Sequence, residues 1–143
     1  MIEYQPADPN FARRVRESFA RQSVMALIGG NLGRIEPGAV EINLPFRSDL
    51  TQQHGFVHAG IVTTIVDSAC GYAALTLMPA GSEVLTIEYK INFLRPATGE
   101  SFMARAQVMK PGRTITIARG DAFAVASGQE VLVATMLATI IPR

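Results

Sequence analysis

The spacing of apolar residues divides the chain into helical and extended stretches. Over 10–28, Phe11, Val15, Phe19 and the run Val24 to Leu27 recur at roughly helical spacing among Arg13, Arg14, Arg16 and Glu17, which predicts a first helix. Gly29-Gly30 ends it. Residues 31–36 read as a short strand and Pro37-Gly38 as a turn. Over 39–46 the period becomes two: Val40, Ile42, Leu44 and Phe46 alternate with Glu41, Asn43 and Pro45, the mark of a half-buried strand. A polar loop covers 47–57. From about 59 to 78, Val62, Ile65, Val66, Ala69, Ala73 and Leu77 recur every three or four residues and predict one long helix closed by Pro79-Ala80-Gly81.

The remainder reads as strand. Over 84–94, Leu85, Ile87, Tyr89, Ile91 and Phe93 alternate with Thr86, Glu88, Lys90 and Asn92, and Pro96 to Gly99 turns the chain. Strands at 100–109, 114–126 and 130–141 are joined by turns short enough for antiparallel hairpins. A sheet with one apolar face needs cover, and the long helix is the only element able to lie along it. The expectation is a single α+β domain over 1–143, in which a curved antiparallel sheet of about six strands wraps around one central helix.

Composition narrows the function classes. A length of 143 residues suits one domain with one core. Hydrophobic residues make up 48%, more than a small monomer usually needs, so some of the surplus is expected in a subunit interface. A net charge of +1 argues against nucleic acid or an anionic membrane as the main partner. No apolar run approaches the roughly 18 residues of a membrane span. The N-terminus is polar and carries acidic residues and prolines, unlike a signal peptide. The single cysteine, Cys70, excludes an intrachain disulfide and a cysteine-based metal cluster, and reads as a small buried hydrophobe. By default these features point to the cytoplasm.

The candidate chemistry lies in 52–71. Asp67 is a carboxylate set among Ile, Val, Thr, Ala and Gly, an expensive position unless it is paired or used. Gly60, Thr64, Asp67, Gly71 and Ala74 fall on one helix line, and most are small. Either a strand or second subunit packs there and Asp67 is a structural hydrogen-bonder, or a narrow substrate lies along the stripe and meets it. Spacing leaves both readings open. His58 precedes the helix, where backbone N–H groups lack partners and attract developing negative charge, with the Ala59 N–H as the candidate oxyanion donor. His58 taken alone is more often a structural loop histidine, and His54 receives no role. His54, His58 and Asp67 are too few to make a metal site, and no cofactor is implied. Ser68 directly follows Asp67, so their side chains point about 100° apart on a helix, which disfavours a serine nucleophile. No phosphate-binding glycine motif is present.

Gln52, His58-Ala59-Gly60 six residues on, and Asp67 nine after the histidine resemble the active-site segment of hotdog-fold acyl-CoA thioesterases. The nearest subgroup is the phenylacetate-degradation (PaaI-like) type. The segment Thr86-Ile87-Glu88-Tyr89-Lys90-Ile91-Asn92-Phe93-Leu94-Arg95-Pro96-Ala97 resembles that family's third strand and Arg-Pro-Ala turn. The resemblance covers nearly the whole chain. It implies that Asp67 activates water or attacks the thioester, that the Ala59 N–H binds the thioester oxygen beside His58, that Gln52 places water or substrate, and that Thr86 supports the carboxylate. Gly60 would admit the substrate closely. The site would lie between subunits, with Asp67 and Thr86 of one facing Gln52 and Ala59 of the other, in a homodimer or a homotetramer built from two dimers.

This chain departs from the family pattern in three ways. His-Ala-Gly replaces His-Gly-Gly, glutamine stands where asparagine is common, and Thr86 replaces a serine and is reached only with a one-residue insertion. Asp67 should be more basic than an exposed aspartate. Arg95, Lys110 and Arg113 stand where they could meet coenzyme A phosphates, or are solvated surface charges. The implied substrate is an aryl- or medium-chain acyl-CoA. Phe56, Tyr72, Met78, Met103 and Met109 could line its pocket or be core. The alternative is a non-catalytic acyl-CoA or lipid-binding module on the same fold. A hotdog dehydratase or hydratase would need its own histidine and carboxylate motif, which is missing.

Overall fold

The helix expected over 10–28 is in fact two, α1 (Phe11–Arg21) and α2 (Ser23–Ile28). The computed structural model, which describes residues 2–143, breaks them at Gln22, whose backbone is extended at φ −82°, ψ 94°. The apolar pattern explains the break. α1 buries Val15, whereas α2 buries Met25 and Ile28. Phe19 and Met25 are six positions apart, which on a continuous helix is about 240° of rotation. One straight helix would turn Met25 away from the core, and the kink brings it back.

Six strands follow the order β1-β2-β4-β5-β6-β3 in a single sheet, and every neighbouring pair is antiparallel. The strands are β1 (Asn31–Glu36), β2 (Ala39–Pro45), β3 (Val84–Phe93), β4 (Ser101–Lys110), β5 (Thr116–Ala126) and β6 (Gln129–Pro142). One helix, α3 (Ala59–Leu75), packs along the face formed by alternate residues of the central strands. Val62, Ile65, Val66, Ala69 and Ala73 are buried beneath it, as their spacing required. Contact is closest at Gly120 of β5, where an added Cβ would lie 2.6 Å from Val66 Cγ1 and 2.7 Å from Cys70 Sγ. Burial pushes the Cys70 thiol up to about 12, so it stays protonated and inert. This arrangement is the hotdog architecture that the sequence led us to expect.

The long helix stops at Leu75 rather than at 78. Its last carbonyls are claimed from outside the helix. Arg14 on α1 donates from Nη2 to the Leu75 and Met78 carbonyls (3.1 and 2.9 Å) and from Nη1 to Pro79 O at 2.9 Å. Buried Thr76 accepts the Gly38 N–H at 2.7 Å and donates to Ala73 O at 2.6 Å. Arg14 Nε lies 3.0 Å from Asp8 Oδ2 without its N–H aimed there, so that contact is an ion pair rather than a hydrogen bond.

β3 departs from the clean alternation of its sequence. Thr86 pairs with Ile140 and Glu88 with Thr139, so Ile87 is the extra residue of a bulge. The bulge turns Thr86, rather than its apolar neighbours, toward α3. β3 pairs only with β6 and forms one edge of the sheet. α3 covers it only in part: Val84 and Ile91 pack against the core, whereas Leu85, Ile87, Tyr89 and Phe93 are 46–54% exposed. The surplus apolar surface inferred from composition is concentrated here.

Candidate active site

The loop before α3 is pinned at both ends. Val57 N–H donates to Ala97 O at 3.1 Å and His58 N–H to Leu50 O at 2.9 Å. Between them, Gln52 Oε1 accepts from the N–H groups of His54 and Phe56 at 2.6 and 3.3 Å. That engages the amide oxygen and leaves Nε2 as a donor with no bond among the described residues. His58 is the N-cap of α3, and its Nδ1 accepts the Gly60 N–H at 2.8 Å. An accepting Nδ1 carries no proton, so a neutral ring holds its proton on the exposed Nε2. The N–H groups of Ile61 and Val62 reach His58 O. Within this first turn, the Ala59 N–H alone lacks a partner among the described residues. The cavity here, about 460 Å³, is lined by Gln52, His58, Ala59, Phe93 and Arg95.

Asp67 lies two turns further along α3 and is half-buried. Thr86 Oγ1 donates to Asp67 Oδ1 at 2.8 Å, a contact that depends on the β3 bulge. Oδ2 has no partner among the described residues. Burial pushes the Asp67 carboxyl above the usual carboxylate range, and the Thr86 hydrogen bond partly offsets this. A cavity of about 570 Å³ opens beside Asp67 and Thr86, walled on its far side by α1. A cleft of about 580 Å³ between α3 and β3 runs from Asp67 past Thr64 and Gly60, with Tyr89 and Ile91 opposite. The small-residue stripe therefore borders open space over most of its length, and Gly71 lines the cavity beside Asp67. Gly60, Thr64 and Asp67 border the cleft, whereas Ala74 is buried.

Distance divides the candidates into two groups. Asp67 and Thr86 touch. Gln52, His58, Ala59 and Arg95 share the other cavity. Eight residues of helix separate Ala59 from Asp67, which is about 12 Å along the axis. Arg95 donates to Leu132 O at 2.8 Å beside the Ala59 cavity. Lys110 and Arg113 are exposed at the β4–β5 turn, toward the opposite end of the sheet, and make no ion pair among the described residues. Of the candidate pocket residues, Tyr72 lines the Asp67 cavity and Phe56 the Ala59 cavity, whereas Met78 is buried core. Met103 and Met109 line neither cavity.

Sequence reasoning passed over Ser18 and Gln22, which line the Asp67 cavity from α1 and its break. The only signal for them was the slip in apolar phase between Phe19 and Met25. Among the described residues no three His, Cys, Asp or Glu side chains gather as a metal site, and no helix is long and apolar enough to cross a membrane.

Residues 54–131 match the sequence pattern of the thioesterase superfamily. The chain belongs to that superfamily. The matched stretch contains His58, Ala59, Gly60, Asp67, Thr86, Arg95, Lys110 and Arg113, and it leaves out Gln52 and both N-terminal helices. A thioesterase family protein of Silicibacter pomeroyi is 55% identical and superposes with a TM-score of 0.91 over 92% of this chain and 97% of its own. The E. coli PaaI protein of the phenylacetic acid degradation operon shares the hotdog fold, with a TM-score of 0.84 at 17% identity over 96% of each chain. Acyl-coenzyme A thioesterase 13 of Homo sapiens is 28% identical over 94 residues, which are 65% of this chain and 66% of its own. Two further curated relatives, 34% and 30% identical, are matched over 59% and 66% of their length, so the chain spans about two thirds or less of them.

Proposed function

We propose that this superfamily member hydrolyses acyl-CoA thioesters at sites shared by two subunits. Asp67 and Thr86 of one chain would meet Ala59 and Gln52 of the other. The observation that carries the reading is the pair of half-sites on one helix. An unbonded N–H and a carboxylate about 12 Å apart cannot both touch one thioester carbonyl within a single chain. Both open toward β3, an uncovered strand edge with apolar side chains beside it, which suits pairing with a second copy.

In such a site the thioester oxygen accepts the Ala59 N–H and a Gln52 Nε2 hydrogen, the two donors left unspent. Thr86 holds Asp67 Oδ1, so Oδ2 is the reacting atom. Oδ2 takes a proton from water as the water attacks the carbonyl carbon, or attacks that carbon itself. The negative charge gathers on the carbonyl oxygen. The C–S bond then breaks and coenzyme A leaves as its thiol: on the first route Asp67 returns to the sulfur the proton it took, and on the second a water cleaves the acyl–Asp67 anhydride and supplies that proton. His58 acts through the backbone, since its ring fixes the helix start and withdraws the Gly60 N–H from competition. Arg95, at the rim of the Ala59 cavity, is the basic residue best situated for a CoA phosphate. Lys110 and Arg113 reach a site only if the partner's sheet carries them there. The cavity beside Asp67 suits an aryl- or medium-chain acyl group.

Subunit complementation tests the reading. Asp67→Asn and Ala59→Pro should each abolish most CoA release from an acyl-CoA panel. Unfolding the two together and refolding them at equal amounts should restore roughly a quarter of the parent activity, because half of the pairs are mixed and each mixed pair has one intact site. Failure to restore any activity, from variants that refold as dimers, would place both groups in one chain and refute the shared site.

A further inference from the structure

The cavity beside Asp67 is not a plain apolar slot. Ser68 Oγ donates to Gln22 Oε1 at 2.9 Å, Gln22 Nε2 donates to the Tyr72 hydroxyl at 3.3 Å, and that hydroxyl shares a hydrogen bond with Ser18 Oγ at 3.2 Å. These four residues line the same cavity as Asp67. Tyr72 is 5% exposed and burial pushes its phenol up, so it remains a hydroxyl at neutral pH. Counting protons leaves donors over. Ser18 and Tyr72 share one bond, which uses one of their two hydroxyl protons whichever way it points. Gln22 Nε2 has a second proton with no partner among the described residues. Neither donor is needed to complete the network itself.

We propose that Gln22, with Ser18 and Tyr72, is the specificity determinant of the acyl pocket, selecting acyl groups that carry a neutral hydrogen-bond acceptor at their far end. The inference rests on the thioesterase reading above. Tyr72 lies five residues beyond Asp67 on α3, about 7.5 Å along the axis. An acyl chain whose carbonyl carbon sits at Asp67 reaches that depth with about six atoms at roughly 1.25 Å of advance per bond. Ser18 and Gln22 are half-buried, so an apolar chain of the same length would displace water from the two donors without giving either a partner, and a site built to bind a hydroxyl rejects the analogue that lacks it. The side chain of Gln22 makes no capping hydrogen bond at the α1–α2 break, so it can be replaced without removing a helix cap.

The test compares hexanoyl-CoA with 6-hydroxyhexanoyl-CoA, using purified full-length parent, Gln22→Met, Ser18→Ala and Tyr72→Phe. For the parent, kcat/KM should favour the hydroxylated thioester by about ten- to a hundredfold. In Gln22→Met the preference should shrink to within about threefold, chiefly by loss on the hydroxylated substrate. Ser18→Ala and Tyr72→Phe, each removing one proton of the shared pair, should reduce it partway. A purely structural network would lower both substrates together and leave the ratio unchanged, and that result overturns the inference. Equal turnover of both thioesters by the parent overturns it as well, while leaving the thioesterase reading intact. Absence of CoA release from both substrates overturns the inference alone if other thioesters of the acyl-CoA panel are hydrolysed, and absence across the whole panel removes the thioesterase reading with it.

Discussion

Replacing Ala59 with proline deletes one hydrogen atom from the site and almost nothing else. Ala59 is the first residue of α3, the helical position where proline is best tolerated. Its N–H bonds to nothing among the described residues, so no structural hydrogen bond is lost. The preceding residue, His58, has φ −59° and ψ 137°, the extended conformation that a following proline demands. Ala59 is exposed, which leaves the ring room. Stability should therefore stay within about 0.5 kcal/mol of the parent in urea unfolding, or rise slightly through a stiffer unfolded chain. Activity should not survive. Removing one preorganised oxyanion donor costs about 2.7–4 kcal/mol of transition-state stabilisation, or about 10²–10³ in kcat. Two controls separate the lost proton from the added bulk. Ala59→Gly and Ala59→Val keep the N–H and should retain kcat within about tenfold. The assay is thiol release from an acyl-CoA followed with a thiol reagent. A folded Ala59→Pro variant with kcat within about threefold of the parent would refute the oxyanion assignment.

Other perturbations probe neighbouring parts. Asp67→Asn should lower kcat by about 10²–10⁴ while stabilising the fold at neutral pH. A carboxyl held above its unfolded pKa contributes stability fully below the unfolded value and loses it as pH rises through the folded one. The stability advantage of the amide variant over the parent should accordingly vanish in acid, and an advantage that grew in acid would contradict the burial argument. Thr86→Val removes the one contact that lowers the Asp67 pKa, so the acid limb of the pH–rate profile should move to higher pH. Arg14→Ala strands the Asp8 carboxylate, whose side chain is 8% exposed, and frees the carbonyls at the end of α3. It should cost about 3–5 kcal/mol by urea titration, and a loss under about 1 kcal/mol would show the clamp to be decorative. Gly120→Ala presses a methyl into Val66 and Cys70. It should cost about 1–3 kcal/mol and, by displacing Asp67 one residue along the same helix, reduce kcat more than its stability loss explains.

Periodicity carried most of the fold. Strand positions, the central helix and its buried face all followed from spacings of two and of three to four, because a half-buried surface repeats with its own geometry. What failed was anything that depended on partners distant in sequence. The break at Gln22 answers to where the core lies, the end of α3 answers to Arg14, and the bulge at Ile87 answers to β6. Strand order was equally hidden: β3 and β4 follow one another across a turn yet lie far apart in the sheet. The candidate site was legible where it is local, at Asp67 and at the His58-Ala59 junction. Thr86 was reachable only through family resemblance and an insertion after the helix, and the bulge at Ile87 that accompanies its contact with Asp67 left no mark in the strand's alternation. Ser18 and Gln22 left no signal beyond the slip in apolar phase between Phe19 and Met25, since polar residues on an N-terminal helix ordinarily face solvent.

The two N-terminal helices and the stretch from residue 54 onward carry two kinds of information in the chain. Everything assigned to bond cleavage except Gln52 lies within 54–131, the part that matches the superfamily. The far wall of the cavity beside Asp67, the proposed acyl pocket, comes from α1, outside it. Arg14 latches that wall onto the carboxyl end of the helix that bears Asp67. The first thirty or so residues thus shape one wall of that cavity while carrying none of the residues assigned to bond cleavage. An engineer seeking a new acyl preference would vary that segment, keep its arginine latch, and leave the proposed reaction centre untouched.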